Sequence, residues 1–564
     1  MRIIKLACVV IVGLVLIGVS PAAAKPPASG PAEKNARTTS VQILGLNDFH
    51  GALQPPSGSA GRLGPGGTPE FGGAEYLATH VESLRATNPN TLFVSAGDLI
   101  GATPLISALF HDEPTIEAFN LMGLDYNGVG NHEFDEGVDE LLRMQYGGCH
   151  PVDGCQDGDP FGGANFEFLA ANVKYKSNGE TIFAPYSIHH FNGVKVGIIG
   201  MTLEGTPQIV TPAGIQTVDF LDEAETANAA VAELQKQNVE TIIVLLHEGG
   251  TTSTAGNGAG AGAANINLCA NPSGAIPPIV EAMDDAIDVV ITGHTNWAVN
   301  CVLDGKVVTG AASNGRVVTD IDLTISRATK NVVSVKVNNV PVSRDVAKAA
   351  HLTDLIAKYD TLVAPLRDRI VGSTTAALLR ANNAAGESAL GDVIADAQLD
   401  ATSPAAFGGA VVAFMNPGGI RTDLPAGNVT YGQLFGAQPF SNVMTVLTCT
   451  GTQIDALLEQ QFRAAGNTIL QVSDGFTYTW DAAAPIGSRV DIGSIKIDGA
   501  PIVAGTPYRV AMNNFLATGG DGFTVFPTCT DSLGGEIDVD ALEAYFAVNS
   551  PVAPGPQNRI TRLN

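Results

Sequence analysis

The residues with the most chemical capacity in this chain fall in five short clusters. They are Asp48 and His50 in N-D-F-H-G, Asp98 in S-A-G-D, Asn131 and His132 in G-N-H-E-F-D, His247 in L-L-H-E, and His294 in T-G-H-T-N. Asp, His and Asn supply the oxygen and nitrogen donors that divalent metals take. One carboxylate can bridge two such ions, and paired metals suit the hydrolysis of phosphate esters. A lone Gly-Asp or Gly-His is usually a turn, and a lone His is usually a hydrogen-bonded core residue. Five clusters in chain order, four of them directly after apolar runs, read instead as one array able to hold two metal ions.

Those apolar runs, at 41–46, 91–94, 241–246 and 287–292, have the length and composition of strands. In an α/β sheet ligands collect at the carboxyl ends of strands, which is where the clusters fall. Residues 194–200 and 241–246 are rich in Val, Ile and Leu and predict buried strands. Segments 75–86 and 221–237 carry apolar residues at helical spacing. From 299 to 342 the pattern turns to short strands, so this half predicts a β-sandwich with helices outside. Residues 344–369 read as one long connecting helix. A second α/β segment follows, in which G-E-S-A-L-G-D (386–392) leads into a helix, followed by the stretches 416–423, 438–443 and 513–523. The Gly, Ala, Ser and Thr run at 249–264 reads as a mobile loop.

With 564 residues, more than one domain is expected. The composition, 45% hydrophobic and 15% charged, is that of a folded globular protein. Residues 1–24 read as a secretory signal: Arg2 and Lys5, an apolar stretch over 6–19, then Pro21-Ala22-Ala23-Ala24. Residues 25–40 read as a disordered leader. No second segment has membrane-spanning length, and the C-terminus lacks a hydrophobic or lipidation tail. The chain is therefore expected to be secreted, extracellular or periplasmic, or associated with the cell wall. The net charge of −26 becomes −26 − 2 = −28 without Arg2 and Lys5. Such acidity argues against a nucleic-acid polymer as partner, but a metal pair would still draw an anionic small molecule. Beyond Cys8 of the signal, six cysteines remain. Pairing as Cys149–Cys155, Cys269–Cys301 and Cys449–Cys529 keeps each bridge inside one domain, and no C-x-x-C supports a zinc knuckle.

The order D-x-H, G-D, G-N-H-E, H, G-H-x-N resembles the calcineurin-like metallophosphatases. The G-N-H-E-F-D form, with the downstream segments N-P-G-G-I-R (416–421), Q-P-F-S-N (438–442) and N-F-L-A-T-G-G-D-G-F (514–523), resembles the 5′-nucleotidase family from about residue 41 to the end. The resemblance implies a four-layer α/β/β/α metallophosphatase domain at 41–343, a linker helix at 344–370 and an α/β nucleotide-binding domain at 371–564. It implies two divalent ions (Zn, Mn, Co or Fe): Asp48 and His50 on the first, Asp98 between both, and Asn131, His247 and His294 on the second. Asn296 stands where the family has Gln or His on the first metal, and is shorter than Gln by one methylene. His132 matches the catalytic His, with Asp135 orienting it, and Glu133 is a rival base. Arg421 matches the nucleotide-binding Arg, Asn416 a base contact, Phe440 and Phe515 the stacking aromatics, and Asp521 the ribose ligand. An Arg expected shortly before the E-x-x-x-G segment is absent from 382–386, and Arg380 is the nearest. The implied activity is hydrolysis of nucleoside 5′-monophosphates. The alternatives are a 2′,3′-cyclic-nucleotide 2′-phosphodiesterase/3′-nucleotidase, a UDP-sugar hydrolase, or a non-catalytic nucleotide-binding surface protein.

Overall fold

The computed structural model describes residues 37–57, 60–63, 69–210, 212–252, 266–440, 442–464 and 466–564. The expected signal, residues 25–36 of the expected leader, and most of the 249–264 run lie outside them.

The first half is built on two six-stranded sheets. One has the strand order Val332–Pro341, Val317–Ser326, Thr38–Leu46, Thr91–Ser95, Tyr126–Gly128, Glu167–Leu169. The other runs Ala298–Leu303, Lys306–Ala311, Val289–Thr292, Thr241–His247, Val194–Thr202, Tyr186–Phe191. Apolar side chains from both, among them Ile43, Val94, Ile198, Leu245 and Ile291, form the layer between them. The Thr241–His247 strand is buried along its whole length, as a strand covered on both faces must be. Helices Ala74–Arg85 and Glu113–Met122 cover the first sheet, and Glu223–Lys236 and Ile276–Ala282 the second. This gives the α/β/β/α layering. Asp222 caps the Glu223–Lys236 helix by accepting from Glu225 N at 2.7 Å.

Two expectations are corrected. The first strand begins at Thr38, inside the segment read as disordered leader, because Thr38, Thr39 and Ser40 pair with Ser326, Ile325 and Thr324. The long helix spans Ala350–Arg367, not 344–370. Arg344 is held outside it, its guanidinium donating to the carbonyls of Gly72 and Phe71. The helix buries Leu352, Ile356, Tyr359 and Val363 and packs against helices of both halves.

In the second half, a five-stranded sheet runs in the order Gln471–Val472, Val412–Met415, Pro507–Asn513, Val443–Thr450, Thr530–Ile537. The expected helix after 386–392 is Ala389–Thr402, capped by Ser388 accepting from Gly391 N. It packs beside Asp538–Asn549. The three disulfides are Cys149–Cys155, Cys269–Cys301 and Cys449–Cys529.

Candidate functional site

Both sheets of the first half deliver loops to one place. Leu46 and Ser95 are register partners at the ends of parallel strands, and Leu246 and Thr292 are partners in the other sheet. The residues that follow, Asp48, His50, Asp98, His294 and Asn296, hold φ of 49°, 48°, 52°, 66° and 59°. This left-handed backbone is rare outside Gly but tolerated best by Asn, Asp and His. Gly97 is required here: at φ 88° a Cβ would lie 2.6 Å from Gly130 N and 2.7 Å from His247 Nδ1.

The ligand-type atoms converge. Asp98 Oδ2 is 3.0 Å from His247 Nε2 and 3.8 Å from His50 Nε2, so this carboxylate lies between two donor groups. Asn131 Oδ1 is 3.1 Å from His247 Nε2 and 3.0 Å from His294 Nδ1. Asp48 Oδ1 is 3.9 Å from His50 Nε2 and is buried with no hydrogen-bond partner. Backbone carbonyls fix two rings: Gly101 O lies 2.9 Å from His50 Nδ1, and Ala96 O 2.7 Å from His247 Nδ1. Each carbonyl takes a ring N–H and turns Nε2 inward, the arrangement that accompanies metal-ligating His. Asn296 lines the same cavity, and its amide donates to His294 O at 3.1 Å.

The electrostatics suit cations. Burial lowers His50 to about 3 and His294 to about 4, which favours the neutral ring in both. Burial disfavours the Asp98 carboxylate, yet His247 and His132 hold it well below the usual range. Burial, against the pull of His247, raises Asp48 to about 7. Burial disfavours a charged His247, but Asp98 and Asp48 raise it to about 10. These carboxylates demand positive charge, and a divalent cation meets that demand. The orphaned Asp48 oxygen, the fixed tautomers and the Asp/His/Asn donor set all fit such ions.

His132 stands beside this array. Its backbone N–H donates to Asp98 Oδ1 at 2.9 Å, and Nδ1 lies 2.7 Å from Asp135 Oδ2. Phe134, fully buried, anchors the His132–Phe134 turn. Burial works against the imidazolium, but Asp135 and Asp98 raise it to about 9. Glu133 turns away from the cavity: its carboxylate accepts from Asp98 N, Leu99 N and Gly130 N at 2.9, 2.9 and 2.6 Å.

The second half closes the other side of a cavity of about 280 Å³. The Phe440 ring stacks near His132, centroids 5.8 Å apart and planes at 19°, and the Arg421 guanidinium lies 5.6 Å from the Phe440 centroid. Phe515 and Asp521 line the same space. Asn416 belongs to its wall, with Nδ2 donating to Asp521 Oδ2 at 2.8 Å and Oδ1 accepting from Asn513 at 3.0 Å. The amide is thereby engaged in positioning Asp521. Arg380 donates to Ile420 O at 3.2 Å and lies close enough to Arg421 to lower its pKa, second to burial. Six lining residues were not singled out from sequence: Ile209, Val210, Gly418, Gly419, Asn442 and Asn513. Asn442 had a signal, two positions after Phe440. The two aliphatic residues had none.

Comparison with known proteins follows this division. Residues 41–297 match the model for calcineurin-like phosphoesterases, and 370–528 the model for the 5′-nucleotidase C-terminal domain. Cell wall protein Lmo0130 of Listeria monocytogenes is 32% identical over 91% of this chain and 68% of its own length. The chain belongs to the 5′-nucleotidase family. Endonuclease YhcR of Bacillus subtilis is 33% identical to this family member over 92% of the chain, which spans 41% of that protein's length. The crystal structure of a 5′-nucleotidase precursor from Thermus thermophilus superposes with a TM-score of 0.73 at 26% identity, covering 93% of this chain and all of that one. As a 5′-nucleotidase-family protein the chain is a phosphoester hydrolase of the metallophosphatase type. Calcineurin-like metallophosphatases use divalent metals, and the groups His50/Asp98/His132 and Asp98/His247/His294 bring ligand atoms within 4.8 Å of one another.

Proposed function

We propose that this protein removes phosphate from nucleoside 5′-monophosphates. One observation carries the reading: a single cavity is lined by the phosphoesterase residues of one half and by Arg421, Phe440, Phe515 and Asp521 of the other. Asp48, His50, Asp98, Asn131, His247 and His294 would hold two divalent ions, with Asn296 at the edge of the first site. When bound, the ions supply Lewis-acid activation of water and charge neutralisation at the phosphate.

The chain's own residues do the rest. Asp135 accepts the Nδ1 proton of His132, which leaves the Nε2 proton to donate to a phosphate oxygen as negative charge develops. Arg421 offers forked N–H donors to phosphate or ribose oxygens. Phe515 and Phe440 supply aromatic faces for the base, and Asp521, held by Asn416, accepts from ribose hydroxyls. The two parts correspond to domains at 41–343 and 371–564 joined through the helix that ends at Arg367. Three disulfides support an oxidising, extracytoplasmic setting, in keeping with a signal at 1–24. Among the described residues no helix is long and apolar enough to cross a membrane.

Turnover of AMP, 2′,3′-cyclic AMP and UDP-glucose with added Mn²⁺ or Zn²⁺ tests the proposal. AMP is expected to be cleaved fastest. Preference for the cyclic nucleotide or the UDP-sugar would reassign the substrate, and no turnover of any would overturn the catalytic reading.

A further inference from the structure

A second constellation of metal-ligand type lies outside the catalytic array. His111 and His150 are stacked, centroids 3.7 Å apart and planes 16° from parallel. Asp153 Oδ2 is 2.9 Å from His111 Nε2 and 3.4 Å from His150 Nδ1. One ligand atom from each of the three residues lies within 4.8 Å of the others. His150 and Asp153 belong to the loop C-H-P-V-D-G-C, which the Cys149–Cys155 bridge closes and which the proposed reaction does not use. Both histidine side chains are largely buried, at 16% and 15% exposure, while Asp153 is open to solvent at 45%.

Three features separate this cluster from an ordinary surface ion pair. His150 Nδ1 accepts from Asp153 N at 3.1 Å, so that ring carries a lone pair at Nδ1, and a metal ion would take the place of this N–H or bind at Nε2. Glu136 Oε2 lies 2.7 Å from His111 Nδ1 and takes that N–H, which presents Nε2 toward Asp153. A carboxylate behind a histidine that faces ligand-type atoms is the pattern around zinc. Finally, Glu140 also lies within 4.8 Å of His111 and Glu136, but Arg143 donates to both of its carboxylate oxygens. The competitor is a proton: burial disfavours the His111 cation, but Glu136 and Asp153 raise it to about 9. Metal binding at neutral pH would therefore release the Nε2 proton to solvent.

We propose that His111, His150 and Asp153 bind one divalent transition-metal ion of the zinc type, with Glu136 orienting His111, apart from the ions of the phosphoesterase centre. Two imidazoles and one carboxylate select zinc-like ions over magnesium or calcium. The site abuts the catalytic machinery through the chain. Asp112, next to His111, accepts from Gly101 N at 2.9 Å and Thr103 Oγ1 at 2.6 Å, and Gly101 O is the partner of His50. Glu136 directly follows Asp135. An ion here would brace both turns.

The test is metal stoichiometry. Full-length protein, stripped by a chelator and dialysed against Zn²⁺, is analysed by mass spectrometry beside His150→Ala and Asp153→Asn. Both variants are expected to carry one equivalent less than wild type while keeping the ions of the phosphoesterase centre. Equal equivalents in all three would overturn the site. Should a variant lose every equivalent through misfolding, a wild-type crystal measured at the zinc edge decides. An anomalous peak between His111 Nε2 and Asp153 supports the site, and its absence refutes it.

Discussion

Replacing Glu133 with Gln separates two readings of the residue next to His132, the proposed catalytic His. If Glu133 were a base, Glu133→Gln would lose turnover and leave the fold and the metals alone. The structure gives a different expectation. Oε2 accepts from Asp98 N and Gly130 N, and Oε1 accepts from Leu99 N and, at 3.3 Å, from Asn127 Nδ2. A Gln side chain turns its NH₂ toward one of these two donor pairs whichever way it sits. Two buried donors then lose their acceptor, at about 1–3 kcal/mol each, or about 2–6 kcal/mol together. The loss falls on the loop that carries Asp98, so metal affinity should fall as well. Urea denaturation of the metal-free protein, followed by circular dichroism, reads the stability. Zn²⁺ or Mn²⁺ titration reads the site. Glu133→Gln with a wild-type denaturation midpoint, wild-type metal affinity and abolished turnover would refute the positioning argument and restore the base.

Three further outcomes follow from the same geometry. His132→Ala should lower kcat by about 10²–10⁴-fold with the metal content unchanged by mass spectrometry; unaltered turnover would remove His132 from the mechanism. Phe515→Ala should cost about 1–3 kcal/mol of base stacking, read as a lower kcat/KM for AMP with little change for ribose 5-phosphate, which has no base. Burial raises Asp538 to about 7, against donors from Asn442 and Val539. Between the unfolded value of about 4 and this folded value the native chain keeps a proton that the unfolded chain has lost. This contribution is fully present below about pH 4 and is lost as pH rises through about 7. Asp538→Asn should therefore flatten the fall in urea midpoint between pH 5 and 8, and an unchanged slope would contradict the assignment.

The convergence of the proposed metal array was legible ahead of the fold because its residue types are scarce in cores and fall just after β-type runs. Asp98, His247 and His294 each follow such a run, and the two sheets bring those ends together. Glu133 was ambiguous for a physical reason: a carboxylate that caps backbone amides and one that faces a substrate look alike in sequence. Ile209 and Val210 were invisible because an aliphatic residue in a cavity wall has the same pattern as one in a core. Arg344 suits a helix by propensity, but tertiary contacts engage its guanidinium, with Glu70 and with the carbonyls of Pro56, Phe71 and Gly72. The first strand was obscured at its start by the Pro-, Ala- and Gly-rich stretch before it, although Thr38 and Thr39 are good strand formers.

The left-handed backbone at Asp48, His50, Asp98, His294 and Asn296 limits how this centre can vary. A β-branched replacement at any of these positions would add roughly 1–2 kcal/mol of backbone cost to the loss of a polar donor. Exchange among Asp, Asn, His and Gly carries little such cost. The scaffold therefore admits a small alphabet at these five positions, and every polar letter in it is a residue type that can donate to a metal. Drift within that alphabet retunes ion preference without remaking the loops, and Asn296 is a substitution of this permitted kind.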